Sequence, residues 1–371
     1  MKKVLFTANL DSFFIKFLIP QLKYFKDNGY EVHVASKNQD IEIPYCDKKF
    51  NVSFARSFNI KDNLKSYQEI KKILLENDYD LISCHTPFGG VIPRLALKHI
   101  KNYKGRVVYT AHGFHFFKGA PLLNWLIYYP VEKYLAKYTD ALITINKEDY
   151  ELACKKMKTD VYYIPGIGVD ENKFNVEISK EKKSEIKKKL KVTDENFILI
   201  FPGEINNNKN QVLLIDTLEI LKKHIPKIAL LLPGNDLLNG KLLDYSREKG
   251  LEKNIRFLGF RKDIPELLAI SDLSVSSSKR EGLPINILEA MYVGKPLVVT
   301  NCRGNRDLIE DGTNGFLVNN NSAPEFAEKI LKIYNDKKTS SKFVNLNKER
   351  VKKYLIENVL DEIVKIYMGG K

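Results

Sequence analysis

Residues 281–289 read Glu-Gly-Leu-Pro-Ile-Asn-Ile-Leu-Glu, and they follow the run Leu-Ser-Val-Ser-Ser-Ser at 273–278. The earlier run predicts a short buried strand. Pro284 fits the first turn of a helix, because the backbone N–H that proline lacks would have no intrahelical acceptor there. Together the two runs predict a strand-loop-helix unit of the kind from which α/β domains are built.

The two glutamates of this unit take different predicted positions. Glu281 falls in the strand-to-helix loop, and Glu289 lies about a turn and a half into the helix. Backbone N–H groups around Gly282 and Leu283 would face outward at the helix N-terminus, which suits phosphate oxygens. The Glu289 carboxylate could accept hydrogen bonds from the vicinal hydroxyls of a ribose. The stretch therefore predicts a site for a nucleotide sugar.

The flanking residues decide between a nucleotide-sugar site and a simpler interpretation. Two glutamates at such a spacing in a helix commonly lie on its solvent-exposed face and bind nothing. Segment 278–284 has the pattern Ser-x-x-Glu-Gly-x-Pro, and segments 289–300 and 311–318 extend the match. In these segments the chain resembles the family 4 retaining glycosyltransferases, whose signature is two glutamates separated by seven residues. The resemblance implies transfer of a glycosyl unit from a nucleoside diphosphate sugar, with retention of the anomeric configuration.

The size and composition are those of a folded protein of about two domains. The chain has 371 residues, of which 44% are hydrophobic and 29% charged. Its start runs directly into an apparent core strand, and no stretch of about eighteen apolar residues occurs. We therefore expect a cytoplasmic protein. Its four cysteines are far apart in sequence, which predicts reduced thiols instead of a metal site.

The net charge of +14 requires an interpretation. The densest basic cluster, at 180–191, contains seven lysines and two glutamates and predicts a solvated helix, so we expect no nucleic-acid partner. Residues 81–131 contain no acidic side chain and interleave basic with aromatic residues. Such a region suits an anionic membrane or a lipid diphosphate, although core aromatics and a chance gap in acidic residues explain it equally well.

Strand and helix patterns alternate along the whole chain, which predicts parallel sheets covered on both faces. The predicted strands are 4–8, 31–36, 52–55, 81–85, 106–112, 141–145, 161–164, 197–202, 228–232, 255–258, 273–277, 296–300 and 316–318. The resemblance makes this a GT-B fold, in which two Rossmann-like, doubly wound α/β domains face a central cleft. We expect an acceptor-side domain at 1–170, a nucleotide-sugar domain at 171–350, and a C-terminal helix at about 351–371 that crosses back onto the first domain.

A second strand end supplies candidate contacts for the diphosphate. Gly203 would let the backbone approach it closely, and Lys209 would place a positive charge beside it. The family usually has arginine after this glycine, but here Glu204 replaces it, so one expected cation is missing. Candidates to compensate are Arg261, Lys262, Arg280 and Arg306. The predicted donor-binding residues are Gly203, Lys209, Arg261, Glu281, Gly282, Leu283, Pro284, Asn286 and Glu289.

Histidines end two neighbouring strands of the first half. By resemblance, His112 matches the family histidine that lies close to the transferred sugar, so His112 and Glu281 are the predicted catalytic residues. His115 and His85 are weaker, acceptor-side candidates. Phe13, in the first predicted loop at 8–14, suggests an apolar acceptor surface, although packing beneath the loop explains it equally well. That loop lacks the glycine pair found in many family members.

The predicted reaction is a front-face attack in which the donor's own phosphate oxygen takes the acceptor proton. Fixed N–H dipoles and Lys209 can stabilise the departing diphosphate, so we expect no metal and no cofactor besides the donor. Among family members, the chain looks most like bacterial enzymes of capsule, exopolysaccharide or O-antigen synthesis that use a polyprenyl diphosphate acceptor. The expected location is therefore the inner face of the plasma membrane, and UDP is the nucleotide expected from the family.

Other function classes fit the sequence less well. A UDP-sugar epimerase of similar fold is disfavoured by the context of the two glutamates. A non-catalytic polysaccharide-binding module would explain the charge but would not require the complete donor motif. A dinucleotide dehydrogenase would need Gly-x-Gly-x-x-Gly after the first strand, and residues 5–14 contain no glycine.

Overall fold

The computed structural model describes residues 1–55, 60–319 and 321–370, with the Ile60 side chain excluded. The chain divides into two compact units. Unit 1 comprises residues 1–167 and 356–370, and unit 2 comprises residues 168–355. The boundary after residue 167 lies three residues before the predicted boundary at residue 170.

Unit 1 is built on a parallel sheet in which every described pair of neighbouring strands runs in the same direction. Its strands are β1 (Lys3–Leu10), β2 (Glu31–Lys37), β3 (Lys48–Asn51), β4 (Leu81–His85), β5 (Arg106–Ala111), β6 (Ala141–Thr144) and β7 (Asp160–Tyr163), in the spatial order β3-β2-β1-β4-β5-β6-β7. Its first helices are α1 (Asp11–Phe17), α2 (Ile19–Asp27), α3 (Ile60–Glu76), α4 (Pro87–Leu97), α5 (Leu122–Leu135) and α6 (Lys147–Lys156). The order reverses between β1 and β4, as in a Rossmann sheet.

The central strands of unit 1 form because both of their faces are buried. Leu5 and Ile82 point into one apolar cluster, and Val4 and Phe6 point into another on the opposite face. Parallel strands covered on both sides read as nearly continuous apolar runs, which is why sequence analysis located β1 and β4. The carboxyl ends of these strands are the edge at which ligands of such sheets bind.

Two predictions for unit 1 are wrong. The third strand is Lys48–Asn51 and not 52–55, because the pairing with β2 runs from Lys48 to Asn51 at the sheet edge, where apolar residues are not required. No loop occupies 8–14, since β1 extends to Leu10 and α1 begins at Asp11. Asp11 is buried and accepts hydrogen bonds from Ser36, Lys49 and the backbone of Gln39, which fixes this abrupt turn.

Unit 2 contains the second parallel sheet, in the order β10-β9-β8-β11-β12-β13. Its elements are α7 (Glu171–Phe174), α8 (Lys180–Lys189), β8 (Phe197–Ile200), α9 (Gln211–Leu221), β9 (Ile228–Pro233), α10 (Lys241–Glu248), β10 (Ile255–Gly259), α11 (Ile264–Ile270), β11 (Leu273–Ser276), α12 (Ile285–Tyr292), β12 (Leu297–Thr300), α13 (Asn305–Leu308), β13 (Phe316–Val318), α14 (Ala323–Asn335) and α15 (Lys337–Val351). The basic run at 180–191 forms α8, whose buried residue is Ile186, so the predicted solvated helix is confirmed. The order again reverses at the first strand of the unit.

The last helix, α16 (Ile356–Tyr367), belongs to unit 1. It packs Val359, Ile363 and Tyr367 into the cluster that contains Val4 and Phe6. The predicted helix begins at about residue 351, but α15 ends at Val351 and Leu355 has an extended backbone before α16 starts. With both sheets parallel and helix-covered, the predicted α/β fold class is confirmed.

Candidate active site

Unit 2 brings two of the predicted donor-binding side chains into direct contact. Lys209 lies between β8 and α9, and Glu281 lies between β11 and α12, both at the carboxyl ends of adjacent strands. The Lys209 Nζ donates to Glu281 Oε1 at 2.6 Å, and 19% and 13% of the two side chains are exposed. Because water screens this pair only partly, it is a strong local dipole at the edge where parallel sheets bind ligands.

A polar turn holds Lys209 in place. The Asn206 side chain accepts hydrogen bonds from the backbone N–H groups of Asn208 and Lys209, at 3.0 and 2.9 Å. Asn210 follows in the left-handed conformation, with a φ of 55°, and α9 begins after it. The Asn208 side chain also donates to the Arg280 carbonyl at 2.9 Å. This network ties the Lys209 loop to the Glu281 loop.

Glycine is required where two loops of this edge approach each other. A Cβ at Gly234 would lie 1.9 Å from the Gly203 carbonyl oxygen, so no side chain fits there. A Cβ at Gly203 would lie 3.4 Å from the Lys209 side chain, which is ordinary contact. Gly203 therefore leaves the backbone beside Lys209 uncovered, as its predicted role requires.

Glu281 is also supported from its other side, by residues that were not predicted from the sequence. The loop between β12 and α13 supplies this support, because Arg303 Nε donates to the Glu281 carbonyl at 3.2 Å. Gly304 packs so closely that an added Cβ would meet the Gly282 carbonyl oxygen at 2.6 Å. Its φ of 83° also favours glycine. The only hint in the sequence is the Arg-Gly pair that follows an apolar strand.

The helix after Glu281 presents the predicted phosphate-binding groups. Pro284 precedes α12 as its N-cap residue, one position earlier than predicted, and Leu283 is 8% exposed. Asn286 donates to the Pro202 carbonyl at 3.0 Å, which anchors the first turn to the end of β8. The N–H groups of Gly282 and of the first turn lie beside this anchor and suit an anionic group.

Glu289 lies in the second turn of α12 and is only partly exposed. Burial raises the pKa of its carboxyl group to about 7, with a smaller opposing effect of Lys173 on α7. Ribose hydroxyls are donors that would restore the interactions this carboxylate loses on burial. The high pKa is therefore consistent with a carboxylate whose partner is a ligand.

We expect the variant Glu289→Gln to be more stable than the wild type at pH 8 but not at pH 5. Below about pH 4.5, the ordinary pKa of glutamate, the carboxyl group is protonated in both the folded and the unfolded protein. Between pH 4.5 and about pH 7, the folded protein keeps a proton that the unfolded protein has released. Stability therefore falls as pH rises through this window, by up to about 3 kcal/mol. Denaturant titrations at both pH values measure the effect.

The control for that experiment is Glu328→Gln on α14. Its carboxylate pairs with Lys332, which lowers the pKa of Glu328, so the residue is ionised at both pH values. A difference between Glu289→Gln and the wild type that is the same at pH 5 and pH 8 would contradict the shifted titration.

The cations considered as replacements for the missing arginine lie in different surroundings. The Arg261 guanidinium makes two hydrogen bonds to the Asp263 carboxylate, which raises the pKa of Arg261. Lys262 and Glu204 are exposed. Arg303, which sequence analysis did not propose, is 5% exposed and bonded to the Glu281 loop. The structure therefore places Arg303 against the predicted donor-binding residue Glu281.

Unit 1 assembles its predicted residues around His112, just after β5. The ring of Phe13 meets the His112 ring edge to face, with centroids 5.0 Å apart. His85, at the end of β4, contacts His112 Nε2 through its Nδ1 at 3.1 Å. Burial lowers the pKa of His112 to about 4, so its imidazole is neutral at physiological pH. His112, His85 and Phe13 therefore form one cluster at the carboxyl edge of the sheet.

A cavity of about 140 Å³ opens beside this cluster within unit 1. His112 and His115 both line it, and the His115 ring stacks on Tyr128 with centroids 4.5 Å apart. The other walls are largely apolar and come from the start of α4, the loop after β5, and α5. A cavity of this size and lining suits part of a small organic ligand.

The backbone at the mouth of this cavity is strained. Thr86 follows His85 with a φ of 63° and a ψ of 164°, a region that residues other than glycine rarely adopt. Asn9 holds it there, since the Asn9 N–H donates to Thr86 Oγ1 at 2.9 Å and Thr86 Oγ1 donates to Asn9 Oδ1 at 2.7 Å. No sequence signal predicts such a threonine. Its position next to His85 fits the concentration of strain at functional sites.

The described residues do not group into a site of three or more histidine, cysteine or carboxylate ligands. An Asp-x-Asp sequence, a pattern that can hold a divalent ion, occurs at 78–80 but lies at the amino end of β4, where Asp80 accepts a hydrogen bond from the Lys3 N–H at 2.8 Å. It is therefore at the sheet edge opposite His112.

None of the helices in the described parts of the chain is long and apolar enough to cross a bilayer.

Known proteins match both units. Residues 182–350 match the family model "Glycosyl transferases group 1", and residues 3–146 match "Glycosyl transferase 4-like". A protein of Bacillus subtilis named as glycosyltransferase EpsD is 39% identical over 368 residues, or 99% of this chain and 96% of that protein. An Escherichia coli UDP-Gal:alpha-D-GlcNAc-diphosphoundecaprenol alpha-1,3-galactosyltransferase is 27% identical over 94% of this chain and 92% of its own.

Among solved structures, Anabaena Alr3699/HepE in complex with UDP and glucose is similar in fold. It has a TM-score of 0.81, and the match covers 100% of both chains at 21% sequence identity. At this identity the likeness establishes the fold and not the substrate.

Proposed function

Because the chain belongs to the family 4 glycosyltransferases of the GT-B fold, we propose that it transfers a hexosyl or N-acetylhexosaminyl unit from a UDP-sugar to a saccharide acceptor. The observation that carries the proposal is the contact of Lys209 with Glu281 at the carboxyl edge of the unit 2 sheet. A lysine and a carboxylate at one site can bind the two parts of a sugar diphosphate, the phosphates and the sugar. Lys209 binds the anionic diphosphate, and Glu281 accepts hydrogen bonds from sugar hydroxyls.

The remaining donor contacts follow from the positions of the unit 2 residues. The N–H groups of Gly282 and of the first turn of α12 bind phosphate oxygens. Glu289, whose pKa burial raises, binds the ribose hydroxyls. Arg303 keeps the Glu281 loop in place through its hydrogen bond to the Glu281 carbonyl. These contacts hold both the nucleotide and the sugar of the donor, so the bond between them is fixed in position for glycosyl transfer.

The proposed reaction retains the anomeric configuration and needs no metal. As the bond from the sugar to the diphosphate breaks, Lys209 and the fixed N–H dipoles stabilise the negative charge on the leaving group. The leaving phosphate oxygen takes the proton of the attacking hydroxyl on the same face of the sugar. His112 is neutral, so it contacts the transferred sugar as a hydrogen-bonding group and not as a cation.

The proposed acceptor is a saccharide on a polyprenyl diphosphate, in the synthesis of a bacterial capsule, exopolysaccharide or O-antigen. The name of the Escherichia coli relative states such an acceptor for that protein. A surface of unit 1 supports the idea: Leu122, Leu123 and Leu126 on α5 are 73%, 63% and 65% exposed. The exposed Lys118 precedes them. Such a surface suits insertion into the interface of an anionic membrane.

This surface differs from the one that the sequence suggested. Phe88, Phe114 and Phe116 of the acid-free region are core residues, and Arg94 is buried against Glu132 at 2.9 Å. The apolar contribution to membrane contact therefore comes from leucines on α5. The exposed Lys118 supplies positive charge there, whereas Arg94 is not at the surface.

We expect the double substitution Leu123→Glu and Leu126→Glu to reduce binding to phosphatidylglycerol vesicles at least 10-fold. Each exposed leucine gains roughly 1.5–3 kcal/mol when it leaves water, and a carboxylate is repelled by the anionic surface. Vesicle sedimentation measures the binding. Leu75→Glu on α3 is the control, since Leu75 is also 63% exposed. Equal loss in both variants would contradict a specific membrane surface.

The proposed function is tested with a panel of UDP-, GDP- and dTDP-sugars incubated with the protein and a membrane lipid extract. Released nucleoside diphosphate and labelled lipid are both measured, with Glu281→Ala as the inactive control. Transfer from one donor, lost in the control, identifies the reaction and the sugar. Interconversion of donor sugars without an acceptor would indicate an epimerase. Tight polysaccharide binding without release would indicate a binding module.

A further inference from the structure

A chain of hydrogen-bonded side chains connects His112 to the last helix of the protein. His112 Nε2 contacts His85 Nδ1 at 3.1 Å, and His85 Nε2 contacts Ser83 Oγ at 2.9 Å. Ser83 Oγ donates to the Tyr367 hydroxyl on α16 at 2.8 Å. Ser83, His85 and Tyr367 are at most 2% exposed, so water does not compete for these bonds. Nothing in the proposed chemistry so far uses Ser83 or Tyr367.

The direction of this chain follows from the single hydrogen of the serine hydroxyl. In the arrangement in which Ser83 donates that hydrogen to the Tyr367 hydroxyl, the contact of Ser83 with His85 requires the His85 hydrogen to be on Nε2. Burial lowers the pKa of both His85 and His112, so each ring is neutral and has one N–H. His85 Nδ1 then has no hydrogen and can only accept, which makes His112 Nε2 the donor in their contact.

His112 is left with an unprotonated Nδ1. That nitrogen has no hydrogen-bond partner among the residues that the structure describes. We propose that Ser83 and Tyr367 are positioning residues that hold His112 as its Nε2–H tautomer, so that Nδ1 accepts a hydrogen bond from a hydroxyl of the transferred sugar. The part that concerns the sugar rests on the proposed function, but the tautomer does not.

The proposal gives α16 a role in the site. Tyr367 is fixed by packing, because its ring lies against Phe6 and Phe25 with centroids 6.2 and 5.9 Å away. Burial raises the pKa of Tyr367 above its usual value, so the hydroxyl stays neutral. Removing that hydroxyl frees the Ser83 hydrogen to turn toward His85. The hydrogens of both histidines then move to their Nδ1 atoms, and His112 presents a donor where the sugar needs an acceptor.

The proposal is tested by determining which ring nitrogen of each histidine has the hydrogen. Long-range proton–nitrogen correlation spectra of the free protein, labelled with ¹⁵N-histidine, give this tautomer directly. The chain has six histidines, and substitution of His85 and His112 assigns their signals. We expect His112 and His85 of the wild type to have the hydrogen on Nε2. In Tyr367→Phe we expect the His112 hydrogen to move to Nδ1. With donor present, the variant's kcat falls about 10-fold and its KM changes less than threefold.

The matched control is Tyr30→Phe, which removes a hydroxyl from the same apolar cluster. The Tyr30 ring contacts Phe25, and its hydroxyl contacts the Met368 sulfur at 3.8 Å. This variant should keep the wild-type tautomers and kcat. If Tyr367→Phe does not fold, Ser83→Ala replaces it, and we expect a mixture of His112 tautomers there. A wild-type His112 with its hydrogen on Nδ1, or tautomers unchanged by these substitutions, would overturn the proposal whether or not the protein transfers sugar.

Discussion

Replacing Glu281 by glutamine is expected to lower kcat/KM for the sugar donor about 10²- to 10³-fold, which corresponds to roughly 3–4 kcal/mol of transition-state stabilisation. The substitution removes the carboxylate that we propose accepts hydrogen bonds from the sugar hydroxyls, but it keeps the size of the side chain. It also replaces the charge-assisted 2.6 Å contact of Lys209 with the Glu281 carboxylate by a weaker contact with a neutral amide. Binding of UDP alone should therefore stay the same or tighten. Steady-state kinetics measure the loss of kcat/KM, and calorimetry measures the affinity for UDP.

The control for Glu281→Gln is Glu310→Gln. Glu310 is an exposed partner of Arg350 at 2.7 Å and lies outside the predicted donor contacts. Its substitution should change neither kcat/KM nor UDP binding. If Glu281→Gln weakened UDP binding as much as it lowers kcat/KM, Glu281 would support the loop instead of acting on the sugar.

The second large effect is expected for His112→Gln, which should lower kcat about 10²-fold with less than a threefold change in KM. Glutamine keeps a polar side chain but loses the rigid ring that Phe13 and His85 hold in place. A group that acts mainly on the transition state affects kcat more than KM. Donor turnover over a range of concentrations gives both constants.

The pH dependence of the wild type checks the same account. Because burial lowers the pKa of His112 to about 4, its titration should not affect kcat between pH 6 and pH 8. The exposed His99 provides the control substitution, His99→Gln, which should leave kcat unchanged. A kcat that depended on an imidazole titrating near pH 6.5, and lost that dependence in His112→Gln, would contradict a neutral His112.

The predictable parts of the fold are those that local composition determines. β4 and β9 are located correctly because strands buried on both faces must be apolar throughout. The predicted position of β3 is wrong because an edge strand can have a polar sequence such as Lys-Lys-Phe-Asn. The buried Val52 and Phe54, which suggested a strand, lie after the last residue of β3 that pairs with β2. The break before α16 also escapes prediction, since it depends on Leu355 pairing with Val169, which is distant in sequence.

The same distinction applies to the candidate site. Motif spacing indicated Lys209 and Glu281, and the structure brings them into contact. Arg303 and Gly304 were missed because their role depends on a loop from another strand that packs against Glu281. The strained Thr86 was missed because nothing in the sequence encodes a positive φ for threonine. Composition and motifs thus indicate candidate site residues, and long-range packing determines which neighbouring residues hold them in place.

We propose above that the Lys209 and Glu281 loops bind the diphosphate of a nucleotide sugar. Calorimetric titration of UDP and of uridine into the wild type and Lys209→Met tests it most directly, with the exposed Lys223→Met as control. We predict that Lys209→Met weakens UDP binding at least 10-fold, as expected for a lost charge-assisted contact of about 1.5–3 kcal/mol, and leaves uridine binding unchanged. Equal UDP affinity in the wild type and Lys209→Met, or no UDP binding by the wild type, would contradict the account.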